Sequence, residues 1–289
     1  MSLGVAIDTF AVDWSGAARG ARQTIWIAEV HRGGFIRLEC GRDRSEVVEH
    51  LLDASRTLSR LVVGLNFAFS MPEWFAREHG IDRVDDLWDL AAREGERWLA
   101  ECAPPFWGRP GRRRPPHDPD RPPYRRTEGE RLPLRGVGPK SVFQIAGAGA
   151  VGTGSLRGMP CLRELRAAGF AVWPFDRPRF PLLVEIYPRW LTGRVRKSSR
   201  IARALHLASR FPGLPSALED AAAASEDAFD AAVSALRMAA AAPAFAELAA
   251  ARDATEALEG RIWSPLEDPL LSGFPPASAP APSPARPPG

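Results

Sequence analysis

The stretch "SEDAFDAAVSAL", residues 225–236, sets Asp227 and Asp230 three residues apart on what reads as an alanine-rich helix. Phe229, Val233 and Leu236 recur at offsets of four and seven and mark a buried stripe. At about 100° per residue the two aspartates fall together on another side, one turn apart, where they can act as a pair. The positive end of the helix dipole accounts well for Asp227 in the first turn and less well for Asp230. Two further carboxylates are placed for chemistry. Asp13 ends the first predicted strand, in a "DWSG" context that also suits an Asx turn, and Glu185 interrupts the apolar run "LLVEIYP". By strand alternation Glu185 shares a face with Leu183 and Tyr187, so its charge requires a positive partner or a metal. Asp13, Glu185, Asp227 and Asp230 include no histidine or cysteine, and an all-oxygen set selects Mg²⁺ or Mn²⁺ over zinc. Two such ions roughly 4 Å apart would activate water and stabilise the leaving oxygen in phosphodiester cleavage.

The elements that must carry these residues can be read along the chain. "TFAVDWSGA" (9–17) predicts a strand, and "QTIWIAEVHRGGFIRLEC" (23–40) predicts two more joined at "RGG", giving an antiparallel meander. A helical stripe at Val47, Val48, Leu51, Leu52, Ser55 and Leu58 precedes "LVVGL" (61–65), a run apolar on both faces that belongs inside a sheet with parallel neighbours. Residues 84–102 predict an amphipathic helix whose core stripe holds Trp88 and Trp98. "KSVFQIA" (140–146) reads as a strand, a short helix is expected from Pro160 to Ala168 with Gly169 as its stop, and 181–188 reads as a core strand. The basic helix "SSRIARALHLASR" and the acidic helix follow. The order predicts an α/β fold: a mixed sheet of five or slightly more strands with helices on both faces. Residues 1–270 form the expected domain, with an insertion over about 70–138 and a disordered Pro/Ala/Ser-rich tail over 271–289.

Composition narrows the function classes. Of 289 residues, 45% are hydrophobic and 25% charged, as in an ordinary globular domain. No run reaches the roughly 18 apolar residues that span a bilayer, and the N-terminal residues lack a secretory pattern, so a cytoplasmic protein is expected. Cys40, Cys102 and Cys161 stand far apart, which suggests neither a disulfide framework nor a zinc site. The net charge of +3 is uneven. Residues 109–136 hold nine arginines, four acids and seven prolines, so 108–137 is expected to be a flexible loop suited to phosphate backbones, and nucleic acid is the expected partner. Only Lys140 and Lys197 among the 38 basic residues are lysines, which singles them out as candidate substrate contacts. Trp14, beside Asp13, is a candidate rim residue, whereas Arg200 fits a solvated face.

"FAVDWSGA", "VVGLNFAFSMP", "KSVFQIAGAGAVGTGSLRGMP", "LLVEIYP", "EDAFDAAVSAL" and "EGRIW" resemble the motif series of the predicted-nuclease family called domain of unknown function 429, over Thr9 to Ser264. The resemblance implies an RNase H-like fold with Asp13, Glu185, Asp227 and Asp230 as metal ligands and catalytic residues. "EDAFDAAVSA" is similar to the C-terminal acidic helix of Holliday-junction resolvases on that fold. The family usually has aspartate in a D-x-P context where this chain has Asn66 in "GLNFAFSMP"; an amide oxygen still ligates a hard ion but adds no charge. A metal-dependent nuclease is therefore the leading expectation. The alternative is a non-catalytic nucleic-acid- or nucleotide-binding regulatory protein on the same fold. "GAGAVG" at Gly147, Gly149 and Gly152, with Asp176 further on, is a literal dinucleotide fingerprint, but Gly154, Gly158 and Pro160 are expected to postpone the helix that the fingerprint requires.

Overall fold

The computed structural model describes residues 6–130 and 138–265. The expected tail and residues 131–137 of the expected loop lie outside the described residues. The strands are β1 (Asp8–Asp13), β2 (Trp26–His31), β3 (Gly34–Cys40), β4 (Leu61–Leu65), β5 (Ala171–Val172) and β6 (Leu182–Glu185). The helices up to the glycine-rich segment are α1 (Ala21–Thr24), α2 (Arg44–Thr57), α3 (Glu73–Glu78), α4 (Val84–Glu101), α5 (Arg126–Gly129) and α6 (Gly152–Ala167). After them come α7 (Pro188–Thr192), α8 (Arg200–Arg210), α9 (Ser216–Ala224), α10 (Glu226–Ala240) and α11 (Ala254–Glu259), with a 3₁₀ turn at Ala242–Glu247.

One six-stranded mixed sheet has the order β3-β2-β1-β4-β6-β5. The first three strands form the expected antiparallel meander, and β4 lies between β1 and β6, parallel to both. Every residue of β4 is buried, as its unbroken apolar run requires. Strand alternation sorts the sheet side chains onto two faces. Phe10, Val12, Ile27, Val63, Leu65 and Leu183 join one core with residues of α2, α4 and α6. Ala11, Ala28, Val62 and Val184 face the other way, into a core completed by Ala231, Ala235 and Met238 of α10. The chain is thus an α/β protein with helices on both faces of its sheet.

Local chemistry fixes the helices that matter for the site. The Asp43 side chain caps α2, accepting from the Glu46 amide, while the Glu46 carboxylate accepts from the Asp43 amide. Ser225 caps α10 by accepting from the amide of Ala228 at 3.0 Å. Alanines on the inner side of α10 let it lie close to the sheet, and Gly64 of β4 makes the approach possible. A Cβ at Gly64 would stand 2.6 Å from the Met238 sulfur and 2.9 Å from Ile186 Cγ2.

Two expected elements differ. Residues 140–146 form turns with a single bridge from Gln144 to Trp107, not a strand, because Gln144 turns the chain: its carbonyl accepts from Gly152 and its side-chain amide donates to Ala148. The following helix opens at Gly152 and runs through Pro160. Glycines that suggest helix breaks are instead points of close packing, since a Cβ would stand 2.1 Å from the Val142 oxygen at Gly152 and 2.6 Å from the Phe67 ring at Gly158.

Candidate functional site

The strand register brings the polar residues to one end of the sheet. Val12 pairs with Leu65 and Leu65 with Glu185, so Asp13, Asn66 and Glu185 all lie at or just past the C-terminal ends of parallel neighbours. Strand parity then divides them. Asp13 follows Thr9 and Ala11 onto the face of α10, where the Thr9 hydroxyl donates to the Ala235 carbonyl at 3.3 Å. Glu185 follows Leu183 onto the opposite face.

On the α10 face, Asn66 Nδ2 donates to Asp13 Oδ1 at 2.6 Å, and the Asn66 amide donates to the Val12 carbonyl at 3.1 Å. Asp13 is 8% exposed, and its carboxyl is pushed well above the usual carboxylate range by burial and then by the charges of Asp230 and Asp227, against the opposing pull of Asn66 and Lys197. Asp230 is raised by burial against Lys197 and Arg189, and Asp227 by burial and Glu226 against Lys197. Lys197 Nζ lies 2.6 Å from Asp230 Oδ2 and acts on all three acids. The other Asp230 oxygen, Oδ1, is buried and accepts no hydrogen bond. Among the described residues no three His, Cys, Asp or Glu side chains are drawn close enough to enclose an ion. Lys197 and the Asn66 amide are the groups bonded to Asp230 and Asp13.

Glu185 has a different partner from the one expected. Arg125 Nη1 donates to its Oε2 at 2.7 Å, Arg125 Nη2 pairs with its Oε1, and the Phe69 amide donates to Oε2 at 2.9 Å. The Arg125 side chain is fully buried, and its Nη2 also lies 2.8 Å from Glu128 Oε1. Burial alone would lower the guanidinium's pKa, but Glu128 and Glu185 hold it above its ordinary value. Glu185 is therefore neutralised from the far face of the sheet and is not gathered with the three aspartates. Within the expected loop, Arg125, Thr127 and Glu128 are anchored in the core, whereas most of residues 109–122 are exposed. The requirement for a positive partner is legible at Glu185; the partner's position is not.

Of the remaining expected residues, Trp14, Asn66 and Lys140 line a cavity of about 530 Å³ that is also bordered by Glu185, Tyr187 and the glycine-rich turn at Gly149. Trp14 forms part of its wall rather than a rim, packed on Phe67 with ring centroids 5.0 Å apart. Asn66 belongs to both parts of the site, bonded to Asp13 on one side and open to the cavity on the other. Arg200 lies on an exposed face 3.5 Å from Asp220, as expected. Although α6 does open at the last glycine of "GAGAVG", the described residues just before it form turns rather than a strand. Asp176 is also engaged, by Arg166 and the Val172 amide, so among the described residues the fingerprint lacks its preceding strand and a free acidic residue.

Comparison with protein-family models, with curated proteins and with solved structures gave no match. Fold and site together define a mixed α/β protein with an acidic cluster at the strand ends, and no helix of the described residues is long and apolar enough to cross a membrane.

Replacing Arg125 with Met leaves Glu185 and Glu128 buried without their cation and is expected to destabilise the chain by about 3–5 kcal/mol in urea unfolding. A loss below about 1 kcal/mol would mean the pair is solvated. Asp13 tests the opposite sign. Because its native pKa is raised, the folded state holds a proton more tightly than the unfolded state, and stability falls as pH rises from the ordinary carboxylate range through the native value. In EDTA, Asp13→Asn is therefore expected to melt a few degrees above wild type at pH 8, with the gain vanishing towards pH 4. A pH-independent difference would contradict the assignment.

Proposed function

We propose that the chain is a divalent-metal-dependent hydrolase of phosphodiester bonds acting on nucleic acid, with Asp13, Asp227, Asp230 and the amide oxygen of Asn66 as the groups that hold the ion. The observation that carries this reading is a buried Asp13 carboxyl that feels the charges of both Asp230 and Asp227, with Lys197 acting on all three acids and a buried Asp230 oxygen that lacks a partner. Carboxylates held against mutual repulsion and desolvation bind a cation favourably, because the cation relieves both terms. The all-oxygen set fits Mg²⁺ or Mn²⁺. The resemblance to domain of unknown function 429 and its RNase H-like fold points the same way. With Glu185 engaged by Arg125, the set supports one ion more directly than the two expected from sequence.

A bound cation would neutralise charge on a phosphoryl group and lower the pKa of a water. The chain's own groups do the rest. Asn66 Nδ2 fixes the rotamer of Asp13, leaving its own Oδ1 for a ligand, and Lys140 borders the cavity as a phosphate contact. Lys197 balances the acids, and a cation held by Asp230 would take over that role and leave the ammonium for anionic substrate.

The Lys197–Asp230 pair favours one other reading, in which the lysine is the permanent counter-ion and the protein binds nucleic acid without cleaving it. The two readings separate on cleavage of labelled single- and double-stranded oligonucleotides with Mn²⁺. The hydrolase reading expects metal-dependent cleavage, a loss of at least about 10²-fold in Asp230→Asn, and tighter Mn²⁺ binding by Lys197→Met than by wild type. Wild type that neither binds Mn²⁺ nor cleaves any of these substrates would place the binding protein first.

A further inference from the structure

A second cavity, of about 970 Å³, lies between the aromatic scaffold of α3, α4 and residues 106–107 and the Arg/Pro-rich segment. Trp74, Phe106, Trp107 and Phe143 supply its apolar wall, and Arg114 and Arg121 border it from the segment. The arginines already lie on aromatic faces. The Arg114 guanidinium carbon is 5.6 Å from the Trp107 ring centroid and 5.8 Å from that of Tyr124, and the Arg121 carbon is 5.7 Å from that of Trp74. Trp74 is half-buried, and its Nε1 donates to the Pro122 carbonyl at 2.8 Å, which ties the segment to the wall. Residues 109–123 carry five arginines against two aspartates.

A planar cation resting on an indole marks a face that accepts a flat π partner. A nucleobase is such a partner, and the phosphate that accompanies it suits the arginine that it displaces. Aromatic faces beside arginines are the pairing by which single strands are held, since every base presents a π face once it is unstacked. A duplex keeps those faces covered. One short segment reaches both this cavity and the one beside Asn66. Phe143 borders this cavity and Lys140 the other, and Trp107 locks their common turn by donating to the Phe143 carbonyl at 3.0 Å and accepting from the Ile145 amide at 2.9 Å.

We propose that this cavity is a base-stacking subsite for single-stranded nucleic acid, in which bases stack on Trp74 and Trp107 while Arg114 and Arg121 turn to the phosphates. It deepens the hydrolase reading and rests on it only for what is then done to the strand.

Binding in EDTA tests the subsite without any cleavage. The probe is a fluorescein-labelled oligothymidylate, with a labelled duplex of mixed sequence for comparison, read by anisotropy on the full chain. The single strand is expected to bind more tightly than the duplex, with Trp74→Ala weakening it by about tenfold or more and Trp74→Phe retaining most of the affinity. Arg114→Gln with Arg121→Gln should flatten the log–log salt dependence by about 0.7 for each phosphate that is no longer neutralised. A duplex bound as tightly as the single strand, or an unchanged salt slope in the double arginine variant, would overturn the proposal. Strand binding by a protein that never cleaves would sink the hydrolase reading and leave the subsite standing. Metal-dependent cleavage by wild type and Trp74→Ala with equal KM would do the reverse.

Discussion

The seating of α10 on the sheet is the constraint from which the candidate site follows. Ala231, Ala235 and Met238 are buried against β1, β2 and β4, and the apolar surface they remove from water holds the helix in place. Because the alanines are small and position 64 lacks a Cβ, the helix lies close, and its first turn is carried to the end of β1. Asp227 and Asp230 are thereby held near Asp13 although all three would be more comfortable apart. Burial on this packed face is the main reason that all three carboxyls are raised, and at Asp13 the charges of Asp230 and Asp227 add to it.

Arg125 supplies a second, separate constraint. Its bonds to Glu185 and Glu128, and to the Glu259 carbonyl at 3.0 Å, join the insert to β6 and to the C-terminal end of α11. The pair neutralises the one strand-end carboxylate that strand parity turns away from α10. One face of the sheet end therefore holds Glu185 and Glu128 around a shared guanidinium, and the other an acid cluster with an incomplete set of partners. Asn66, bonded to Asp13 and bordering the cavity, connects the cluster to the space where a substrate would lie.

Much of this is legible in the sequence where one local rule dominates. The β1–β3 meander, the buried β4, the long stripe of α4 and the acidic α10 follow from periodicity, and Trp88 and Trp98 are buried as their stripe requires. Residues 140–160 are not legible, because glycine reads as punctuation there while it serves close packing at Gly152 and Gly158. Glu185 is half legible. Its need for a positive charge follows from its apolar neighbours, but its partner lies 60 residues away in a segment whose composition reads as disorder. That Asp13 and Glu185 point to opposite faces depends on β4 pairing with both neighbours in register, which no local pattern reveals. Trp74 and Trp107 carry no signal apart from the general apolar character of their surroundings.

The central claim is that the three aspartates form a cation site in which Lys197 stands in for the ion. A crystal structure in Mn²⁺, with anomalous scattering recorded at the manganese edge, tests it most directly. The account predicts an anomalous peak within coordination distance of Asp13 and Asp230, with the Lys197 ammonium moved away from Asp230. An Asp230 still paired to Lys197 at saturating Mn²⁺, with no peak beside Asp13, would contradict it.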